Sequence, residues 1–458
     1  MYCHRCDQDD ILSLQIHCRL IDMFFRNFRQ RLNWYPPMPF YYGWFVLGLA
    51  GCATFAATGS SQVVLGGVQD FIIEDMGWSR STLAFAATAG TWASGLITPI
   101  VGNLADRYGP RGLMPLGLLV AGIAFLLLSG IDSVVQYYVA YIMGRAISNP
   151  VLIGVVPRTV AVNFFRRRRN IVLAISSTIR PVSGAINIML FSLVAGSYGW
   201  RTAYRYLGIL CLVLVLPLLW LLRRRPEDIG LLPDGIKTAM VIDKNSERSQ
   251  EVMPLEGEFS WRVGEAFKTR ALWCIVSTSA IGTVASSSVG FGLKPYLLEA
   301  GVSQTQAAAV LSLGTVLALG NVLWGILADR ITPRRCLIVA TVVAAIMDVF
   351  LITVHTLPSA YIFAVVWGLS SGSVGSLEHM MIAQYYGRDS YGSILGSFGP
   401  MQTMALGLGP GLGAVIRDIT GSYHLLYISM ACLYLIGTVL IILSTPPALP
   451  KRANASES

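Results

Sequence analysis

The chain has 458 residues, of which 54% are hydrophobic and only 13% charged, with a formal net charge of +9. Soluble chains carry roughly 25% charged residues, and a soluble fold of this composition would leave large apolar patches in water. Soluble enzymes, disordered scaffolds and nucleic-acid readers are therefore excluded, and the positive balance is assigned to Lys- and Arg-rich loops on one side of a membrane.

Residues 1–37 carry Arg5, Arg19, Arg26, Arg29 and Arg31 among scattered apolar residues. They lack the apolar core and small-residue cleavage site of a signal peptide. Two readings stand. In the favoured one Met38 is the natural start; in the other the segment is a basic amphipathic helix on the inner membrane face. Cys3 and Cys6 form a lone CxxC pair, and zinc needs four ligands, so no metal site is expected. Cys52, Cys211, Cys274, Cys336 and Cys432 lie in apolar runs and are expected as buried thiols.

From Gly43 onward apolar runs recur at the length of a spanning helix, roughly 20 residues. Six fit near 43–66, 80–103, 112–131, 135–163, 168–195 and 201–222, and six more near 271–295, 305–327, 336–356, 360–386, 391–415 and 423–444. Between them lies a polar stretch with Arg223, Arg224, Arg225, Glu227 and Asp228, too poor in periodic apolar residues to be a domain. The reading is an all-α integral membrane protein with 12 transmembrane helices in two six-helix pseudo-symmetric halves. Its expected parts are a cytoplasmic extension at 1–40, a first half at 41–223, a cytoplasmic linker at 224–270, a second half at 271–446 and a cytoplasmic tail at 447–458.

Loop charge sets the expected orientation. One set of loops carries Arg107, Arg111, Arg166, Arg167, Arg168, Arg169, Arg330, Arg334, Arg335 and Arg388, with the linker and Lys451-Arg452 on the same side. The other set carries Asp70, Glu74, Asp75, Arg80, Asp132, Glu299 and few other charges. Positive loops stay inside, so both termini are expected in the cytoplasm.

An internal repeat strengthens the two-half reading. Gly102-Asn103-Leu104-Ala105-Asp106-Arg107-Tyr108-Gly109-Pro110-Arg111 follows the second span, and Gly325-Ile326-Leu327-Ala328-Asp329-Arg330-Ile331-Thr332-Pro333-Arg334 follows the eighth, 223 positions on. Asn163-Phe164-Phe165-Arg166 and Gln384-Tyr385-Tyr386-Gly387 recur at an offset of 221 after spans four and ten. Parallel six-helix repeats are an arrangement of secondary transporters. Within the motif, Gly102, Gly109 and Gly325 permit close helix approach and a tight turn. Asp106 is expected to cap a helix N-terminus, and Asp329 holds the equivalent position in the second copy of the motif. Arg107, Arg111, Arg330 and Arg334 are expected to pair with those carboxylates or with a helix C-terminus of the other half, as part of a conformational gate.

The GxLADRxGxR pattern at 102–111 resembles the loop signature of the major facilitator superfamily, and the resemblance covers about residues 40–445. Tyr42-Gly43-Trp44, Gly77-Trp78-Ser79-Arg80, Phe164-Phe165-Arg166-Arg167-Arg168, Gly199-Trp200-Arg201, Pro295-Tyr296-Leu297-Leu298, Gly409-Pro410 and Gly421-Ser422-Tyr423 are similar to its monocarboxylate transporter and oxalate–formate exchanger branch. The resemblance implies a cavity between the halves lined by span five. One departure stands out: bacterial relatives in this branch often carry an arginine on span eight, where this chain has Asn321.

Ionisable residues deep in a span are costly unless they face a cavity or a partner. Here they are Arg145, Arg158, Arg180, Lys294, Asp348, Glu378 and His379. Arg180 lies about 16 Å into span five, near the midplane, and a guanidinium offers a carboxylate two donors at once. It is the expected substrate anchor, with Asn321 supplying hydrogen bonds and Lys294 attracting anions at the entrance or snorkelling to the interface. Arg158 and His379 sit at repeat-related positions, so an Arg158–Glu378 pair is expected to close the inner gate, with Glu378 or His379 available to carry a proton. Asp348, on a peripheral span, is expected to pair structurally.

These residues point to a secondary transporter in the plasma membrane, moving a small organic anion by alternating access. It would be proton-coupled or anion-exchanging, monomeric in the lipid bilayer, without cofactor or metal and without a nucleic-acid partner. Proton-driven efflux of a hydrophobic compound and a transporter-like sensor without turnover are the alternatives. Walker, HExxH and GxSxG motifs are absent from the sequence, so no enzymatic activity is expected.

Overall fold

The computed structural model describes residues 39–235 and 261–448. The arginine-bearing leader and the Cys3–Cys6 pair lie outside the described residues. Within them all regular structure is helical. Apolar runs this long satisfy their backbone groups internally only as helices, which is the condition a bilayer interior imposes.

Twelve spans follow one another. Span one is built from Tyr42–Thr58 and Gln62–Met76, span two is Arg80–Tyr108, and span three is Pro110–Leu128. Span four comprises Val134–Ser148, a π-helical segment Asn149–Gly154, and Val155–Phe164. Spans five and six are Arg169–Tyr198 and Trp200–Leu221. After the linker, span seven is Arg270–Glu299. Span eight joins Gln304–Val316 to Asn321–Ile331 through a tight 3₁₀ turn, and span nine is Pro333–Leu351. Span ten is Leu357–Ser371 with Val374–Tyr386, span eleven Tyr391–Ser397 with Gly399–Thr420, and span twelve His424–Leu443. Among the described residues eight helices are long and apolar enough to cross a membrane; spans one, eight, nine and eleven complete the set from shorter or less apolar pieces.

Local chemistry fixes the ends. The Ser79 hydroxyl accepts from the Thr82 N–H at 3.2 Å, Ser133 from Gln136 at 3.3 Å and Thr269 from Leu272 at 3.4 Å, each satisfying an orphan donor of the first turn. Pro110 and Pro333 open spans three and nine, where a missing N–H costs nothing. The outer surface is apolar, with Leu216 73% and Ile419 80% exposed, as lipid-facing helices require. Cys211, Cys274 and Cys336 are buried free thiols as expected, but Cys52 and Cys432 are exposed. In a bilayer an apolar residue has no hydrophobic drive towards the bundle interior, so an apolar run alone does not bury a thiol.

The end of the bundle that carries both copies of the repeated motif is called here the motif end. Its packing differs from that of the opposite end. One core cluster runs through the first half and continues into Ile275, Ala328, Leu337, Leu377 and Ile394 of the second, all near the motif end. The second half's residues nearer the opposite end, such as Val289, Leu351, Phe363 and Tyr427, form a separate cluster. The halves therefore share a core at the motif end and part towards the other.

The two copies of the motif also share a backbone turn. Gly109 has φ 75° and its counterpart Thr332 has φ 94°. Glycine adopts that conformation freely, whereas a β-branched residue is strained there. We expect Thr332→Gly to stabilise the protein by about 1 kcal/mol or more, read as a higher Tm in detergent. An unchanged or lower Tm contradicts a strained turn.

Candidate functional site

Backbone contact closes the motif end. Spans two and eleven cross where Gly102 meets Gly392 and Gly396: a Cβ on Gly102 would fall on the Gly392 carbonyl and 3.1 Å from the Gly396 Cα. The repeat-related crossing joins span eight to span five. There a Cβ on Gly325 would lie 2.7 Å from the Ala174 Cβ and 3.1 Å from the Asn170 carbonyl oxygen. Only glycine fits at such crossings.

The motif carboxylates lock these crossings. Asp106 lies in the last turn of span two rather than at the start of a helix. It accepts from the backbone N–H groups of Gly392 at 2.9 Å and Ser393 at 2.6 Å. It thus caps span eleven of the other half. The sequence revealed the capping chemistry but not which helix received it, because that helix is 286 residues away from Asp106 in the chain. Asp329 reaches across likewise and accepts from the Asn170 side chain at 2.8 Å.

Arg111 and Arg334 bond to helix C-terminal carbonyls of their own halves, where a helix C-terminus of the other half was one of the expected partners. Arg111 Nε donates to the Leu219 carbonyl at 3.3 Å, and Arg334 donates to the Ile441 and Ile442 carbonyls at 3.2 and 2.5 Å. Each caps the C-terminus of its half's last span, where a positive charge is favourable. Arg107 lies 5.4 Å over the Tyr108 ring, and Arg330 is exposed.

Linker residues brace the same end. Arg388 pairs with Glu227 at 2.6 Å and Arg225 with Asp389 at 2.6 Å. Asp234 accepts from the backbone of Arg166 at 2.9 Å and Arg167 at 2.6 Å. Arg169, on span five, donates to the Ala383 carbonyl of span ten at 2.9 Å. Tyr41, beneath span one, donates to the Phe164 carbonyl at 2.9 Å; burial raises its pKa, so the hydroxyl keeps its proton.

Above this closure lies a cavity of 340 Å³ between the halves. Arg145, Arg158 and Arg180 from the first half line it, together with Glu378, His379, Ser279 and Gln402 from the second. Arg180 is exposed to this space and, among the described residues, has no hydrogen-bond or ion-pair partner. Pro181 follows it inside an unbroken helix. Arg145 is 3% exposed, with Nε and Nη1 unpartnered. Arg158 donates to the Gly154 carbonyl at 3.1 Å, an oxygen at the end of the π segment of span four. Such bulges recur at functional sites because they re-aim backbone groups. Glu378 is 2% exposed with Oε1 unpartnered, and His379 is 7% exposed with Nδ1 unpartnered. Gln402 donates to the Ser279 hydroxyl at 3.0 Å.

The structure brings together Arg158, Arg180, Glu378 and His379 and adds Arg145, for which the sequence left structural and cavity roles open. It corrects two expectations. The Arg158–Glu378 ion pair is not formed: both groups face the cavity, and the Arg158 bond goes to Gly154. Asn321 does not line the cavity; it is 3% exposed, with Oδ1 unpartnered, behind the turn in span eight. Lys294, for which an entrance or a snorkelling position was expected, is half-buried and lies outside this lining. Depth along a helix is readable from sequence, but the direction a residue faces at a broken helix is not. Ser279 and Gln402 carried no signal, being ordinary polar residues in apolar runs. Asp348, fully buried, accepts from Trp367 Nε1 at 2.9 Å, the structural pairing expected of it.

Twelve helical spans, a repeated loop motif and a polar cavity between two halves define a multi-pass membrane protein of the transporter class. The chain belongs to the Major Facilitator Superfamily, which it matches over residues 47–320 and 285–458. It is 24% identical over 411 residues to an MFS-type transporter of Gibberella moniliformis, covering 88% of this chain and 89% of that one. It is 23% identical over 443 residues to monocarboxylate transporter 2 of Rattus norvegicus, covering 89% and 85%. A 160-residue stretch, 34% of this chain and 35% of the relative, is 28% identical to the membrane sensor protein UhpC of Salmonella typhimurium. The fold matches that of FucP in its outward conformation with a TM-score of 0.68 at 13% identity, over 89% of this chain and 100% of FucP. It matches the proton:xylose symporter XylE with a TM-score of 0.65 at 13% identity, over 88% and 95%.

Asp106→Ala removes two charge-assisted bonds across the gate, and hydrogen bonds to a charged group contribute roughly 1.5–3 kcal/mol each. We expect the motif end to part more often, seen as a longer-distance population between spin labels at Arg168 and Arg335 in double electron–electron resonance. An unchanged distribution contradicts the lock.

Proposed function

We propose that this protein is a secondary active transporter of a small organic anion, a monocarboxylate or related carboxylate, working by alternating access. The observation that carries the reading is the partnerless Arg180 guanidinium in the central cavity. A charge at that depth is costly unless something neutralises it, and the cavity holds three guanidiniums against the single carboxylate of Glu378. An anion supplies the missing charge. The same surplus disfavours efflux of a neutral hydrophobic compound. The likeness to UhpC spans 34% of this chain, whereas the likeness to monocarboxylate transporter 2 spans 89% of it.

The moving bodies are residues 41–223 and 271–446, joined by the linker at 224–270. The protein sits in the plasma membrane with both termini and the motif end in the cytoplasm, as the Arg-rich loops favour. In that orientation the described state has its cytoplasmic gate shut. It works as a monomer, since the cavity is complete within one chain.

Coupling follows from the cavity's charge balance. Protonating Glu378 removes the only carboxylate facing the three guanidiniums, so a bound proton strengthens anion binding, and by linkage a bound anion strengthens proton binding. Proton–anion symport is therefore the favoured coupling over anion exchange, with His379 beside Glu378 as the second titratable group.

Two measurements check these assignments. Arg180→Ala should weaken carboxylate binding by roughly ten- to a hundredfold while leaving folded, membrane-inserted protein; full uptake by that variant sinks the anchor role. In wild type, anion affinity should rise as pH falls through the titration of Glu378. Glu378→Gln should remove most of this rise, leaving only the part due to His379, and a pH dependence of unchanged size removes Glu378 from the coupling.

A further inference from the structure

A second cavity, of 390 Å³, lies beside the first and has the opposite character. Its walls are apolar: Leu293 of span seven and Phe363 and Trp367 of span ten face it. Leu293 and Phe363 belong to the second half's own core. The two cavities adjoin, with Ser286 and Ser371 in the walls of both. They also meet on span five, where Arg180 lines the polar cavity and the next residue, Pro181, lines the apolar one. A charged recognition group and an apolar chamber are thus one residue apart. The ligand they fit has an anionic head and an apolar body.

From the sharing of Ser286 and Ser371 and the adjacency of Arg180 to Pro181, we infer that the cargo is an amphipathic monocarboxylate. Its carboxylate sits on Arg180, and its aryl or branched alkyl group fills the Leu293–Phe363–Trp367 chamber. This inference rests on the anion reading of the central cavity and narrows it. Space is ample: a dry apolar cavity of about 150 Å³ already accepts a benzene ring. The chamber also explains a difference between the halves, since the first half supplies the three guanidiniums and the second supplies almost all the apolar wall. A rigid cargo spanning both would tie the two halves together at its two ends, which is how a ligand favours an occluded state over an open one.

The test uses the full chain in proteoliposomes and a competition series of acetate, lactate, 4-methylvalerate, phenylacetate and 3-phenylpropionate. Each buried methylene is worth roughly fourfold in affinity, so phenylacetate and 4-methylvalerate should compete at least tenfold better than acetate. A Cβ on Gly290, which also lines the chamber, meets open space, so Gly290→Leu fills the chamber from a site outside the guanidinium cluster. It should erase the advantage of the aryl acids while leaving acetate and lactate binding within about twofold. Gly290→Ala, a smaller plug, should give an intermediate loss and guards against a folding failure of the leucine variant.

Equal competition by acetate and phenylacetate overturns the inference while leaving the anion reading intact. So does a Gly290→Leu variant that keeps the aryl advantage, with a lipid acyl chain then the occupant of the chamber. If none of the five acids competes and Arg180→Ala changes nothing, the anion reading itself has failed.

Discussion

Direct contact between helix backbones, made possible by glycine, is the constraint on which the rest of the structure depends. At Gly102 and at Gly325 a single added carbon would collide with backbone atoms or a neighbouring side chain of the other half. Everything else at the motif end is arranged around those two crossings. Asp106 reaches the amides of Gly392 and Ser393 only because spans two and eleven touch. Asp329 reaches Asn170 only because spans eight and five do. The ion pairs of Arg225 and Arg388 are partly exposed and individually weak; they register the halves rather than hold them. The shared apolar core beneath them supplies the area.

That closure dictates the cavity. Two bundles pinned at one end diverge towards the other, and the divergence leaves space at mid-depth, where a polar group is tolerated only if it faces that space or a partner. Arg145, Arg158, Arg180, Glu378 and His379 all face it. The division of labour is uneven: the guanidiniums come from spans four and five, and the carboxylate and imidazole from span ten. In the proposed function a ligand between them would contact both halves, so its binding free energy would depend on how far apart they stand. This dependence is what alternating access requires of a site.

The symmetry of the repeats is kept where it is mechanical and abandoned where it is chemical. Arg111 and Arg334 cap equivalent helix C-termini. Gly109 and Thr332 make the same turn, although the second copy has lost its glycine. In contrast, Arg158 and its repeat-mate His379 line one cavity with different charges, and Arg180 has no cationic counterpart in the lining from the second half.

The sequence by itself determined the membrane setting, the helical count and the two-half repeat, because lipid permits few solutions and each leaves a long, redundant signal. It also singled out Arg180, Glu378 and His379, since an ionisable residue in an apolar run is rare enough to be noticed. Other features were decided only by the tertiary structure. Asp106 was legible as a cap, but not as a cap on span eleven. Asn321 stood at a plausible depth yet lies outside the cavity lining, because a helix break sets side-chain direction through packing. The Arg158–Glu378 pair failed for the same reason: equal depth is a one-dimensional property, and pairing needs all three. The apolar chamber beside Arg180 had no sequence signature, since Leu293, Phe363 and Trp367 are ordinary residues of membrane helices until folding turns them towards the same space.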